Sequence, residues 1–437
     1  MSNRGKKGKS RSKEFELNSS DSETDKYDTI LVGNILKKLT IQEQAFITQK
    51  YKKVPKSLIA LWKKIYSRLE LGKMQWQLRG ENLHCFLKLM RVHFQSVQFR
   101  CEQLQEELNI LEKAGIEELP KVSSCVIYRG NNVEWEKNAN FQQWPFHALP
   151  KLLINLRDLE IFSPIYACFI DQFKKLETLK IHEGISKSAV KAIMESDLPL
   201  QTLHFYSKRL HILRGISNRT RLENLMLNVN TFQKSREEIV QLPNLLDIQI
   251  YDTTDPEETL QALIFMVDRS NIIMKRFRLN CGFMFHSEGL KQLNLKKCSA
   301  LHELHLVNCQ FDYEDMAKLN LPVSQSYAAF FNCPDLTDIQ LLDFYKSCPN
   351  LKQFILGSCP QLTGELLHNI FKVRCDENYK QAFTFMIDDC PILLNSYQEN
   401  EKYWERKTSV LKVEFLRADV APAHYVHFYF HKYNPES

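Results

Sequence analysis

The stretch Leu351-Lys352-Gln353-Phe354-Ile355-Leu356-Gly357-Ser358-Cys359-Pro360-Gln361-Leu362-Thr363 decides the fold. Apolar residues stand at its first, fourth and sixth positions, and Cys359 follows three residues after the last of them. Strand alternation sends Phe354 and Leu356 to one face and Ile355 to the other. One such match means little. With 44% apolar residues, three apolar positions coincide by chance in about 9% of windows.

Recurrence carries the signal. The same L-x-x-L-x-L spacing appears as Leu156/Leu159/Ile161, Leu176/Leu179/Ile181, Leu200/Leu203/Phe205, Leu222/Leu225/Leu227, Leu245/Ile248/Ile250, Met274/Phe277/Leu279 and Leu301/Leu304/Leu306. Successive starts lie 20, 24, 22, 23, 29 and 27 residues apart, then 50 to Leu351, with a weaker match at Gln325/Ala328/Phe330 between. Intervals of about 20 to 29 residues are those of leucine-rich repeats. Phe94/Val97/Phe99 and Val122/Cys125/Ile127 would begin the stack, whereas Leu290/Leu293/Leu295 fits the template but not the period.

Helix signals fill the intervals: Ser235 before Glu238, Asp255 before Pro256 and Glu258, and Thr337 before Gln340. A strand–helix unit of this kind cannot bury its own apolar face, so neighbours must stack. The expected fold is therefore α/β, a leucine-rich-repeat solenoid shaped as a horseshoe with a parallel sheet on its concave face. The repeats are assigned to residues 122–415, a linking and capping region with the first repeat to 73–121, and a C-terminal strand that caps the last repeat to 416–437. That strand is read from the alternation of Val426, Phe428 and Phe430 with His427, Tyr429, His431 and Tyr433.

Ahead of the repeats, residues 27–72 read as a small three-helix unit. Leu31, Ile35, Leu36 and Leu39 share one helical face behind Asp28 as N-cap, a second segment starts at Gln42, and Pro55 opens a third with Leu58, Leu61, Trp62, Ile65 and Leu69 in a stripe. Residues 1–26 read as a disordered tail with too little apolar surface to offset ordering entropy. The formal charge of the 437-residue chain is +6, from 58 basic and 52 acidic residues. Six of the basic residues, Arg4, Lys6, Lys7, Lys9, Arg11 and Lys13, stand in the first thirteen positions, so the remainder is neutral, 52 against 52. The basic run suits a nuclear address or a touch on nucleic acid.

The later repeats carry Cys309, Cys333 and Cys359 at one position, and Cys-Pro-x-Leu recurs at Cys333–Leu336, Cys348–Leu351 and Cys359–Leu362. This resembles the cysteine-containing leucine-rich repeats of F-box proteins. Residues 27–69 in turn resemble a divergent F-box of the kind common in insect F-box and leucine-rich-repeat proteins. Ile35-Leu36-Lys37-Lys38-Leu39-Thr40-Ile41-Gln42-Glu43-Gln44 is similar to its first turn, with Thr40 where the family usually has proline, and Leu61–Tyr66 to its third-helix end. The resemblance implies a non-catalytic substrate receptor of a Skp–cullin–F-box ubiquitin ligase. The helices would bind the Skp adaptor through Ile35, Leu36, Leu39, Ile41, Leu61 and Trp62, and the horseshoe would hold a protein substrate. The alternative is a repeat scaffold without adaptor binding.

Strand parity then places Glu160, Lys180, His204, Met226, Gln249, Arg278, His305 and Ile355 as a stripe down the concave face. Lys180 and Arg278 are its only fixed cations, which points to a protein partner and away from a phosphate backbone. Cys298-x3-His302-x2-His305-x3-Cys309 offers metal-ligand side chains, but repeat geometry sends His305 to the concave face and Cys309 into the turn, so no metal is expected. GxGxxG, the Walker lysine loop, GxSxG and HExxH are missing, and no cofactor is implied. With no apolar run of membrane-spanning length and no secretory h-region, the chain is expected to be cytoplasmic or nuclear, monomeric within its complex, with its twelve cysteines reduced.

Overall fold

The computed structural model describes residues 35, 37–50, 56–129, 145–164, 169–206, 210–270, 273–311, 316–319, 321, 326–377, 379, 381–415 and 425–430. Asp28, Leu31, Leu36, the tail, His431 and Tyr433 lie outside them, as do the side chains of His427 and Tyr429.

The molecule is an α/β protein in which strands follow the sequence period. The strands are β1 Arg68–Glu70, β2 Ser96–Arg100, β3 Ser124–Tyr128, β4 Asp158–Ile161, β5 Thr178–Ile181, β6 Thr202–Phe205, β7 Asn224–Asn228 and β8 Asp247–Tyr251. There follow β9 Met274–His286, β10 Glu303–Gln310, β11 Tyr327–Phe331, β12 Gln353–Gly357, β13 Phe383–Asp388, β14 Leu411–Phe415 and β15 Tyr425–Phe430. Each strand from β1 to β8, and from β9 to β14, pairs in parallel with the next in sequence. The apolar pairs read from the sequence are the buried ones, among them Leu159/Ile161, Leu203/Phe205, Phe277/Leu279, Ala328/Phe330 and Phe354/Leu356, each at most 1% exposed. Leu290 and Leu293 lie instead in a helix, Ser287–Leu293, which is why that match broke the period.

Helices return the chain between strands. Thr337 opens Asp338–Ser347 with a capping box to Gln340, and Asp255 accepts from the Glu258 N–H at 2.8 Å ahead of Pro256–Ser270. Ser235 does not open a helix. Val229–Ile239 already starts at Asn228, whose side chain accepts from the Thr231 N–H at 2.7 Å, and Ser235 sits inside it accepting from the Leu213 N–H.

The repeat cysteines follow a fixed turn. Asn308, Asn332, Ser358 and Asp389 hold positive φ of 56°, 50°, 51° and 43°, and each immediately precedes a buried cysteine: Cys309, Cys333, Cys359 and Cys390. Short polar side chains tolerate this left-handed backbone better than bulky ones. The thiol fills the space beneath and meets backbone carbonyls, Cys359 lying 3.3 Å from the Gly357 oxygen and 3.6 Å from that of Phe330. The hydrogen bond with the neighbouring Cys333 thiol, and then burial, push its ionisation up to about 12. These are packed, inert thiols.

Two placements differ from the sequence reading. β15 does not cap the last repeat. It enters the middle of the sheet, antiparallel, between β8 and β9. Alternation settles which residues of a strand share a face but not which edge it joins. The boundary at residue 72 also falls within continuous structure, because β1 pairs with β2 and Leu69, Leu71 and Met74 belong to the same core as the repeats.

Candidate interaction surface

Parallel pairing turns the stripe of the sequence into one row. Glu70, Gln98, Val126, Glu160, Lys180, His204, Met226 and Gln249 are successive register partners, and Arg278, His305, Ala329, Ile355, Met386 and Glu414 continue it. Position 427 of β15 joins the halves, paired with Gln249 on one side and Arg278 on the other. All eight expected stripe residues are thus brought together. Their exposure is less uniform: Met226 is 8% exposed and contributes floor, not contact, while the other seven are half-buried.

Charge on this face is balanced at close range. In the row and the adjacent one, Glu70, Asp158, Glu160, Asp247, Glu303 and Glu414 face Arg68, Lys180, Arg276, Arg278 and Lys412. Arg276 meets Glu303 at 3.0 Å, and His305 lies 3.9 Å from the same carboxylate. A surface tracking phosphates needs cations in excess, and here acids at least match the cations in number, with Arg68, Arg276 and Lys412 each paired to a carboxylate.

Sequence reasoning missed the ring ladder beside the stripe. Phe162 and His182 stack at 3.9 Å and 10°, His182 and Tyr206 at 4.2 Å and 6°, and Tyr206 leans on Tyr251 at 6.0 Å. The signal is visible in retrospect. In Ile161-Phe162, Ile181-His182, Phe205-Tyr206 and Ile250-Tyr251 an aromatic follows directly on the last buried strand position. Glu160 fixes the ladder from the row, its carboxylate 2.8 Å from His182 Nε2. His204, 3.4 Å from the Tyr206 hydroxyl through Nδ1, is held neutral: burial first, then Lys180, lower its pKa to about 4. A depression of about 190 Å³ lined by Ser124, Asp158, Glu160, Thr178 and Lys180 adjoins these groups. Rigid aromatic edges beside alternating charges suit contact with polypeptide side chains.

The helical unit gives a divided result. Helices span Ile41–Lys50, Lys56–Ile65, Leu71–Gln77 and Glu81–Met90. Thr40 starts the first of these through a capping box: its hydroxyl accepts from the Glu43 N–H at 3.3 Å, and the Glu43 carboxylate accepts from the Thr40 N–H at 2.8 Å. Ile35 is 54% exposed, Leu39, Ile41 and Leu61 are half-buried, and Leu36 is not described. Trp62 is fully buried, so it is no contact residue. Its Nε1–H donates to Gln44 Oε1 at 2.6 Å and its ring meets Phe86 edge-on at 4.9 Å. Leu58, four residues earlier on the same helical face, is buried with it. Phe46, not singled out from the sequence, lines an open apolar depression of about 430 Å³ with Leu39, Gln42, Glu43, Ile47 and Asn82.

Cys298 and Cys309 are fully buried whereas His302 is exposed and His305 faces Glu303, so these four side chains do not converge. Among the described residues no helix is long and apolar enough to cross a membrane. No family model matches the chain, and no curated protein matches it at a significant level.

Proposed function

We propose that the chain is the substrate receptor of a Skp–cullin–F-box type ubiquitin ligase, with an F-box-like helical unit ahead of a leucine-rich-repeat horseshoe. The observation that carries this reading is the coupling of sequence period and strand order: strands recurring at leucine-rich-repeat intervals pair in parallel with their sequence neighbours, and buried cysteines occupy the turns. Supporting the adaptor part is the apolar depression of Leu39, Phe46 and Ile47, with Ile35 exposed nearby in sequence. Such a receptor performs no chemistry. It raises the effective concentration of a substrate lysine at a ubiquitin-charged enzyme, making transfer nearly intramolecular. The balanced charge and ring ladder of the sheet face support a protein substrate.

The burial of Trp62 favours a second reading, a repeat scaffold that does not engage the adaptor, since part of the contact set implied by the resemblance is turned inward. Affinity capture of the full chain after proteasome inhibition separates the two. Receptor function predicts adaptor, cullin and ubiquitin-modified proteins together, and a scaffold captures neither adaptor nor cullin.

A further inference from the structure

Among the described residues the parallel order of the sheet breaks between β8 and β9, and the break is filled by β15 from the far end of the sequence. Ile248, Ile250 and Asp247 pair with β15 on one side, and Phe277, Arg276 and Met274 on the other. Three alternate side chains of β15 enter the core: Val426 and Phe428 are fully buried and Phe430 is 2% exposed. The Phe430 N–H also donates to the Leu246 carbonyl at 2.6 Å. Without β15, β8 and β9 would present two unpaired backbone edges and an apolar floor in the middle of the molecule, a template for another strand.

We propose that the slot between β8 and β9 is a strand-acceptor site, for which residues 425–430 are the ligand in cis and which an extended segment of a partner protein can take in trans. The chemistry of that segment follows from the register. It runs antiparallel to β8 and β9, with an aliphatic residue, then phenylalanine, then phenylalanine at alternate positions, and backbone hydrogen bonds supply the sequence-independent part of its binding. Its intervening residues fall at positions 427 and 429, in the middle of the polar row and its neighbour, continuous with the candidate interaction surface. An exchanged strand would therefore rewrite the centre of that face. The proposal stands independently of the ligase reading.

The test uses the full chain with a site-specific protease sequence inserted between β14 and β15. After cleavage, with circular dichroism showing retained structure, a fluorescent peptide of residues 423–432 should bind saturably, while the uncut chain binds it at least tenfold more weakly. The same peptide carrying Val426→Asp and Phe428→Asp should not bind. A cleaved, folded chain that takes up no wild-type peptide, or takes up the charged one equally well, overturns the proposal. Should cleavage unfold the chain, uncut Phe428→Ala serves: it should bind the peptide at least tenfold more tightly than wild type does, and equal or absent binding to both refutes it. Uptake seen only as dimers of uncut chains would assign the slot to a second copy and overturn the partner-segment reading.

Discussion

Phe428 of β15 packs its ring 5.2 Å from that of Phe277, more than a hundred residues earlier, where β15 separates β8 from β9 and those two strands do not pair directly. Both rings are fully buried. Truncating Phe428 to alanine should cost about 3–5 kcal/mol, the range for large-to-small changes in a packed core. Phe415→Ala, at a site 51% exposed, should cost about 0.5 kcal/mol or less. Urea denaturation of both variants checks the contrast, and equal losses would place β15 outside the core.

The Trp62–Gln44 hydrogen bond ties two helices of the N-terminal unit inside its core. Gln44→Ala should destabilise by about 1–3 kcal/mol, because it leaves a buried indole N–H without its acceptor. A double-mutant cycle with Trp62→Phe should return a coupling of at least about 0.5 kcal/mol. Strict additivity would show that the bond contributes nothing.

Much of this architecture was legible in the sequence, for a physical reason. Leu176-x-x-Leu179-x-Ile181 and its repeats must bury one face at each strand, so period and register travel together and the Glu160-to-Ile355 row followed directly. Three features were not legible. β1 carries the same spacing as Tyr66/Leu69/Leu71, but a three-residue strand running straight into a helix offers too little alternation to read. The stripe of Leu58, Leu61 and Trp62 shows which residues neighbour one another on a helix, not that Trp62 turns inward onto Phe86. The partners of β15 are set by a vacancy between β8 and β9 that exists only once the sheet is assembled.

Glu107 gives the fold a pH dependence. Its carboxyl, 2% exposed, accepts from the Arg100 N–H at 3.1 Å, and burial raises its pKa from 4.5 to about 7 against the lowering influence of Arg100. The folded state therefore favours the protonated acid. That contribution is complete below about pH 4.5, is lost as pH rises to about 7, and amounts to about 3 kcal/mol across the window. Wild type should lose stability between pH 5 and pH 8, whereas Glu107→Gln, which keeps an acceptor and no charge, should be flatter. Parallel pH profiles would contradict this origin.

The left-handed turns predict a residue-specific pattern. Asn332 combines φ of 50° with a side-chain hydrogen bond to Asn308. Asn332→Val should cost about 2 kcal/mol or more through backbone strain and the lost bond, while Asn332→Gly relieves the strain and should cost about 1 kcal/mol. Thermal unfolding of the pair decides it: valine tolerated as well as glycine would remove the turn from the account.

The proposed ligase role rests on adaptor binding, and size-exclusion co-elution of the purified full chain with a purified Skp adaptor tests it most directly. Wild type should form a one-to-one complex, abolished by Leu39→Asp with Phe46→Asp and retained by Lys180→Glu on the sheet face. A wild-type chain that is folded and elutes apart from the adaptor would contradict it.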